Sequence, residues 1–219
     1  MNDSEISIQK HLSAACEIDL EKYGDTFRGA GYTKTQDDAN RCYAVMLNIL
    51  RPSSAKVSML DIGCGLAHFY EYMKNNGVNH VEYTGLDISD KYLSVAREKH
   101  PEVPFLKLDL CAHPESINSY DYIVMNGLFN YKGNYTQNEM LDYWLSMINI
   151  AFTHCNYGIA FNVMSKIVDW ERDDLFHLPF DTLAGYVANN LSRNFVIRHD
   201  YGMYEYTTYV YKEPCGAPI

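Results

Sequence analysis

Met59-Leu60-Asp61-Ile62-Gly63-Cys64-Gly65-Leu66-Ala67-His68-Phe69 decides the fold of this chain. It reads as a buried strand with an acid near its end, a G-x-G turn and the start of a helix. Glycine at 63 and 65 lets the backbone bend tightly and approach a ligand with no Cβ in the way, while a helix start offers unpaired N–H groups. Turns of this kind hold nucleotides in open α/β sheets, and Asp61 stands where it can accept from whatever sits there.

Outward from this turn, strands and helices alternate. The patterning predicts strands over 56–62, 81–88, 104–110, 121–126 and 157–164, with helices over 67–76, 90–100, 135–153 and 181–191. That rhythm is a βαβ one and implies a parallel sheet. Two alternating strands follow over 194–200 and 205–212, joined at Gly202, which reads as an antiparallel hairpin. The expected fold class is therefore α/β, Rossmann-like, with a seven-stranded, mostly parallel sheet closed by a C-terminal antiparallel hairpin. Ahead of it, Thr35-Gln36-Asp37-Asp38 matches a capping box and starts a helix that should end at Arg51, before Pro52. Arg41 falls outside the apolar stripe of that helix and is free to meet a ligand or to stay solvated. Residues 1–34 read as a loose helix and a glycine-rich loop around Tyr23, Phe27 and Tyr32, an N-terminal flap preceding one domain over 35–219.

Composition narrows the partners. The 219 residues carry 18 Lys and Arg against 28 Asp and Glu, a net charge of −10, which disfavours a surface that tracks nucleic-acid phosphates. A small molecule is the better-suited partner. Six scattered cysteines with no C-x-x-C pair indicate neither a zinc site nor a disulfide framework, as expected of reduced thiols in a cytoplasm. No signal-peptide pattern and no membrane-length apolar run is present, and a monomer or homodimer is expected. The 19 tyrosines read mostly as strand and core filler.

The strand ends supply the chemistry. Asp87 closes the second strand 26 residues after Asp61, near the roughly 20-residue offset at which an acid meets ribose hydroxyls. Asp109 at the third strand end is placed to accept from an adenine amine, with Leu86, Ile88 and Leu110 around the ring. Asn126, Asn162 and His199-Asp200 end later strands, so polar groups converge on one rim.

In this order, Leu60-Asp61-Ile62-Gly63-Cys64-Gly65, Gly85-Leu86-Asp87-Ile88-Ser89, Leu108-Asp109-Leu110 and Tyr120-Asp121-Tyr122-Ile123-Val124 resemble the class I S-adenosylmethionine-dependent methyltransferases over about residues 41–165. The resemblance implies S-adenosyl-L-methionine as cofactor. Its methionine moiety would lie near Gly63 and Gly65, its ribose on Asp87, its adenine beside Asp109, Ile88 and Leu110, and its carboxylate on Arg41. Ala67 stands where many members carry a third glycine. Further segments, Tyr23-Gly24-Asp25, Asn126-Gly127-Leu128-Phe129, Val168-Asp169-Trp170 and Arg198-His199-Asp200-Tyr201 through Tyr206, are similar to an uncharacterised bacterial branch with members in surface-polysaccharide modification. They add Tyr23 and Asn126 to the cofactor contacts. A nicotinamide dehydrogenase shares the glycine turn and strand-2 acid, but the C-terminal hairpin argues against it, and Asp109 would have no task there.

Methyl transfer to an alcohol needs its proton taken, and histidine suits that role at neutral pH. His199, beside Asp200, and His177, at the end of the acidic insertion over 168–177, are the two candidate bases. His68 reads as a packing or capping group. Phe129, Tyr131, Asp169, Trp170, Tyr201 and Tyr204 are the acceptor-site candidates, and the acidic insertion reads as a solvated loop rather than a metal site. The leading expectation is O-methylation of a sugar, nucleotide-sugar or related surface-glycan precursor, including a phosphate-type oxygen. N-methylation of a small amine and a non-catalytic cofactor-binding partner protein are the alternatives.

Overall fold

The computed structural model describes residues 8–31, 35–53 and 55–215. Helices α1 (Ile8–Tyr23) and α2 (Gln36–Leu47) precede the alternating part: β1 (Val57–Ile62), α3 (His68–Asn75), β2 (Val81–Asp87), α4 (Asp90–Lys99), β3 (Phe105–Lys107), β4 (Tyr120–Met125), α5 (Gln137–His154) and β5 (Cys155–Ser165). Then come β6 (His177–Leu178), α6 (Phe180–Asn190), β7 (Phe195–Arg198) and β8 (Glu205–Tyr211). Tyr32, counted in the N-terminal loop, lies outside the described residues.

The sheet order is β3-β2-β1-β4-β5-β8-β7. β8 runs antiparallel between β5 and β7, and the pairs among β1 to β5 are parallel. This is the expected Rossmann-like arrangement of seven strands with one addition. His177, which ends the acidic insertion, and Leu178 form an eighth strand parallel to Met164 and Ser165. The short β3 is a second difference. It ends at Lys107, so Asp109 lies beyond the strand rather than at its end.

Local signals account for the helices. Thr35 and Asp38 cap each other's backbone at the start of α2, as expected, and Thr136 with Glu139 does the same for α5. Helices cover both sheet faces. α5 places Met140, Trp144, Met147, Ile148 and Ala151 in one core with Leu60, Ile62 and Ile123, while α2, α3 and α4 place Met46, Phe69 and Leu93 in the other with Met59 and Val124. Residues 59 and 60 thus point to opposite faces, the period-2 alternation that locks the register of β1. Each of these large side chains contributes roughly 1.5–3 kcal/mol by leaving water. Among the described residues no helix is long and apolar enough to cross a membrane.

Candidate functional site

The turn after β1 requires three successive left-handed conformations at alternate residues. Gly63, Gly65 and Ala67 have φ of +79°, +52° and +62°. Ala67, the residue in place of a third glycine, carries this at a cost of roughly 1–2 kcal/mol. A Cβ at position 63 would stand 3.0 Å from Leu128 Cδ1, so that side chain would have to give by a few tenths of an ångström. The N–H groups of Gly63 and Cys64 both donate to the Leu86 carbonyl, at 2.7 and 3.1 Å, which ties the turn to β2.

Asp87 completes that tie. Its Oδ2 accepts from the Gly65 N–H and its Oδ1 from the Ser89 N–H, each at 2.9 Å, and the carboxylate keeps acceptor capacity for a ligand. Burial raises its pKa, against the opposing pull of the Ser89, Gly65 and Ile88 amides. Asp61 is 2% exposed and accepts from the Tyr83 hydroxyl at 2.7 Å. Burial pushes its carboxyl up to about 7; the Tyr83 bond pulls the other way and the Asp87 charge adds to the rise.

Above these groups lies a cavity of about 680 Å³. Gly63, Gly65, Asp61, Asp87, Ile88 and Asn126 line it on the side of β1, β2 and β4. Tyr131, Asp169, Trp170, His177 and Tyr204 line it on the side of the acidic insertion and β8. Helix α1 supplies a wall through Leu12 and Cys16 and is fastened to α4, since Ser89 Oγ donates to Glu17 at 2.6 Å and Tyr92 Oη to the Cys16 carbonyl at 2.9 Å.

Seven sequence candidates stand apart from this cavity, which corrects the expectations made for them. His199 packs its ring edge-on against Phe180 and Tyr206, and the Asp200 carboxylate that was to support it is bonded to Arg198 instead. Phe129 is fully buried among Tyr143 and Phe161, Leu110 is fully buried in the α5-side core, and Tyr201 is buried with its hydroxyl bonded to Thr207. Arg41 lies along Met203 and Asp38, and Tyr23 stacks under Arg28. Asp109 faces a neighbouring recess with Lys107 and His113, where Lys10 approaches at 3.6 Å. His177 does line the cavity, with both ring nitrogens engaged. Its Nδ1–H donates to the Ser165 carbonyl at 2.6 Å, and its Nε2 accepts the Arg172 N–H at 3.4 Å.

Sequence reasoning missed a polar floor. Glu205, 2% exposed, accepts from Cys42 Sγ at 2.9 Å, Asn162 Nδ2 at 3.0 Å and Asn130 Nδ2 at 2.6 Å. Asn162 also bonds Asn126 Oδ1 and the Gly127 N–H. The contributing residues come from α2, β5, the start of β8 and the loop after β4, so no short motif reveals them. His68 was read as packing or capping. It lines the cavity and hydrogen-bonds Asp25 at 2.7 Å.

The residues fit a ligand rich in hydrogen-bond donors. Three cavity-lining side chains, Gln9, His68 and Asn130, each hold a buried polar atom without a partner: Oε1, Nδ1 and Oδ1. With the unused lone pairs of Asp87, Gln9 and His68 suit the hydroxyls and amino groups of a nucleoside joined to an amino acid, and Asn130 stands on the opposite side of the cavity floor beside Glu205. Among the described residues no group of three or more His, Cys, Asp or Glu is placed to hold a metal ion.

A family model described as a methyltransferase domain matches residues 59–150. A Mycobacterium tuberculosis protein that carries a methyltransferase name is 29% identical over 163 residues, covering 71% of this chain and 93% of that protein. Malonyl-(acyl-carrier protein) O-methyltransferase of Pectobacterium atrosepticum is 34% identical over 83 residues, 38% of this chain and 32% of its own length. Magnesium protoporphyrin IX methyltransferase from Synechocystis PCC 6803, solved with bound S-adenosylmethionine, superposes with a TM-score of 0.61 at 12% identity, covering 97% of this chain and 100% of that one. At that identity the likeness is one of fold.

Proposed function

We propose that this chain is a class I S-adenosylmethionine-dependent methyltransferase and that it methylates a hydroxyl of a small polyhydroxylated molecule such as a sugar or nucleotide-sugar. A surface-glycan precursor is one compound of that kind. The observation that carries the reading is a single cavity that joins the glycine turn and Asp87 to the floor of Glu205 and its amides. The turn and Asp87 would hold the methionine moiety and ribose of the cofactor, and the floor would receive the acceptor.

S-adenosylmethionine would supply the methyl group as an electrophile and keep the S–CH₃ electron pair on sulfur, and the chain's own part would be to align the acceptor hydroxyl with it and to receive the hydroxyl proton on a base or on water. The wall that α1 provides would help position the partners and limit water, effects that supply much of the acceleration in such displacements. His177, with both nitrogens already engaged, would have to give up the Arg172 N–H to take that proton.

A second reading, N-methylation of a small amine, is favoured by the charge of the lining. Asp19, Asp169, Asp174 and Glu205 face the cavity, while Arg172 is paired with Asp174 through two bonds of 2.9 and 2.6 Å. The same acidity argues against a phosphate-type oxygen.

Incubation of the protein with methyl-labelled S-adenosylmethionine and the small-molecule fraction of a cell extract tests the reading. A labelled small product is expected. Calorimetric failure to bind S-adenosylmethionine or S-adenosylhomocysteine would remove it altogether. Binding with no transfer to any fraction would leave the non-catalytic partner protein.

A further inference from the structure

The following rests on the reading above and narrows the class of acceptor. Glu205 opens β8, which is separated from β1 by β4 and β5. Three strand spacings put it roughly 14 Å from the glycine turn's strand, on the acceptor half of the cavity. Asn130 is brought to it by a short ladder. The Asn130 carbonyl accepts the Phe176 N–H at 2.9 Å, the Asp174 carbonyl accepts the Lys132 N–H at 2.9 Å, and Tyr131 pairs antiparallel with Leu175.

That placement fixes the amide. Asn130 Nδ2 donates to Glu205 Oε2 at 2.6 Å, so the NH₂ group faces Glu205. The Oδ1 is therefore the other edge of the amide. It is buried with no hydrogen-bond partner, although Asn130 lines the cavity. A buried carbonyl left in that condition is unfavourable, and a donor carried by a ligand would relieve it. Glu205 is itself held from behind by Cys42 and Asn162, so it cannot turn away and release the amide.

We propose that Asn130, oriented by Glu205, is a positioning residue that reads a hydrogen-bond donor on the methyl acceptor, which is therefore a neutral hydroxyl or an amine and not a carboxylate or phosphate oxygen. An ionised acid has no proton to give to Oδ1. It would also bring negative charge beside Glu205, in a cavity that Asp169 and Asp174 already line.

The test uses the full chain saturated with S-adenosylhomocysteine, with ligand-observed NMR of glucose, glucosamine, acetate and inorganic phosphate at equal concentration. Glucose or glucosamine should bind in preference to both anions, and Asn130→Ala should weaken that binding at least tenfold while S-adenosylhomocysteine affinity stays the same. Glu205→Gln, which can accept or donate, should lessen the discrimination against acetate and phosphate. Preference for acetate or phosphate, no sugar signal that Asn130→Ala removes, or a loss of S-adenosylhomocysteine affinity in Asn130→Ala overturns the inference. Any of these with S-adenosylhomocysteine still bound to the wild-type chain leaves the methyltransferase reading standing, so the two can fail separately.

Discussion

Gly65 donates its backbone N–H to Asp87 Oδ2 at 2.9 Å, so the turn after β1 and the acid at the end of β2 form one hydrogen-bonded unit. Asp87→Ala removes this anchor together with the lone pairs assigned to ribose. Charge-assisted contacts of this kind are worth about 1.5–3 kcal/mol, so cofactor affinity should fall about ten- to hundredfold in calorimetry. Unchanged affinity would place the ribose elsewhere.

Arg41 tests the resemblance against the geometry. Its guanidinium lies along Met203 and Asp38 instead of the cavity. Arg41→Ala should therefore alter S-adenosylmethionine affinity by no more than about 0.5 kcal/mol, the range of surface substitutions. A tenfold loss in a titration would return the arginine to the cofactor's carboxylate.

The raised carboxyl of Asp61 sets a pH dependence. Because its folded pKa of about 7 lies above the ordinary carboxylate value, the folded state binds its proton more tightly. The stability this contributes is complete below about pH 4 and is lost as pH rises through about 7. Asp61→Asn keeps an acceptor for Tyr83 and cannot ionise. Its melting temperature, followed from pH 4 to 8, should fall less than that of the wild type. A parallel fall in both would show that Asp61 does not ionise in that range.

Ala67 predicts an asymmetry. Ala67→Gly relieves a left-handed strain of roughly 1–2 kcal/mol, offset by about 0.8 kcal/mol for the buried methyl and about 0.5–1 kcal/mol of added chain entropy. Urea denaturation should show a change below about 1 kcal/mol. Ala67→Val puts a β-branched side chain at positive φ in a fully buried position and should cost more than about 2 kcal/mol.

The histidines separate the sequence reading from the structural one. His199→Gln should leave methyl transfer within about twofold, since its ring packs against Phe180 and Tyr206 and does not line the cavity. His177→Ala should destabilise the fold by about 1–3 kcal/mol through the Ser165 carbonyl it leaves unmet. Loss of turnover in His199→Gln with cofactor binding intact would reverse this assignment.

What the sequence made legible is what is local or periodic. The alternation of Met59 and Leu60, the Thr35 capping box, the glycine turn and the spacing to Asp87 are each decided within a few residues, and they suffice for the strand order and one half of the cavity. The acceptor half depends on distant pairings. Asn130 and Glu205 meet across 75 positions, and His177 becomes strand and not loop only because Met164 lies beside it. His199, Phe129 and Tyr201 had suitable side chains, but packing by Phe180, Tyr143 and Thr207 holds them away from the cavity, and no pattern in their own segments signals that.

The ladder that joins Tyr131 to Leu175 has an implication for how this enzyme could change its substrate. Two loops, one after β4 and one within the acidic insertion, are stitched by backbone bonds from Lys132 to Asp174 and from Phe176 to Asn130, so neither can be remodelled alone. Under the proposed reading, acceptor selectivity would be inherited as a pair. A graft of residues 126–135 from a relative would bring its own specificity only if residues 168–177 travel with it.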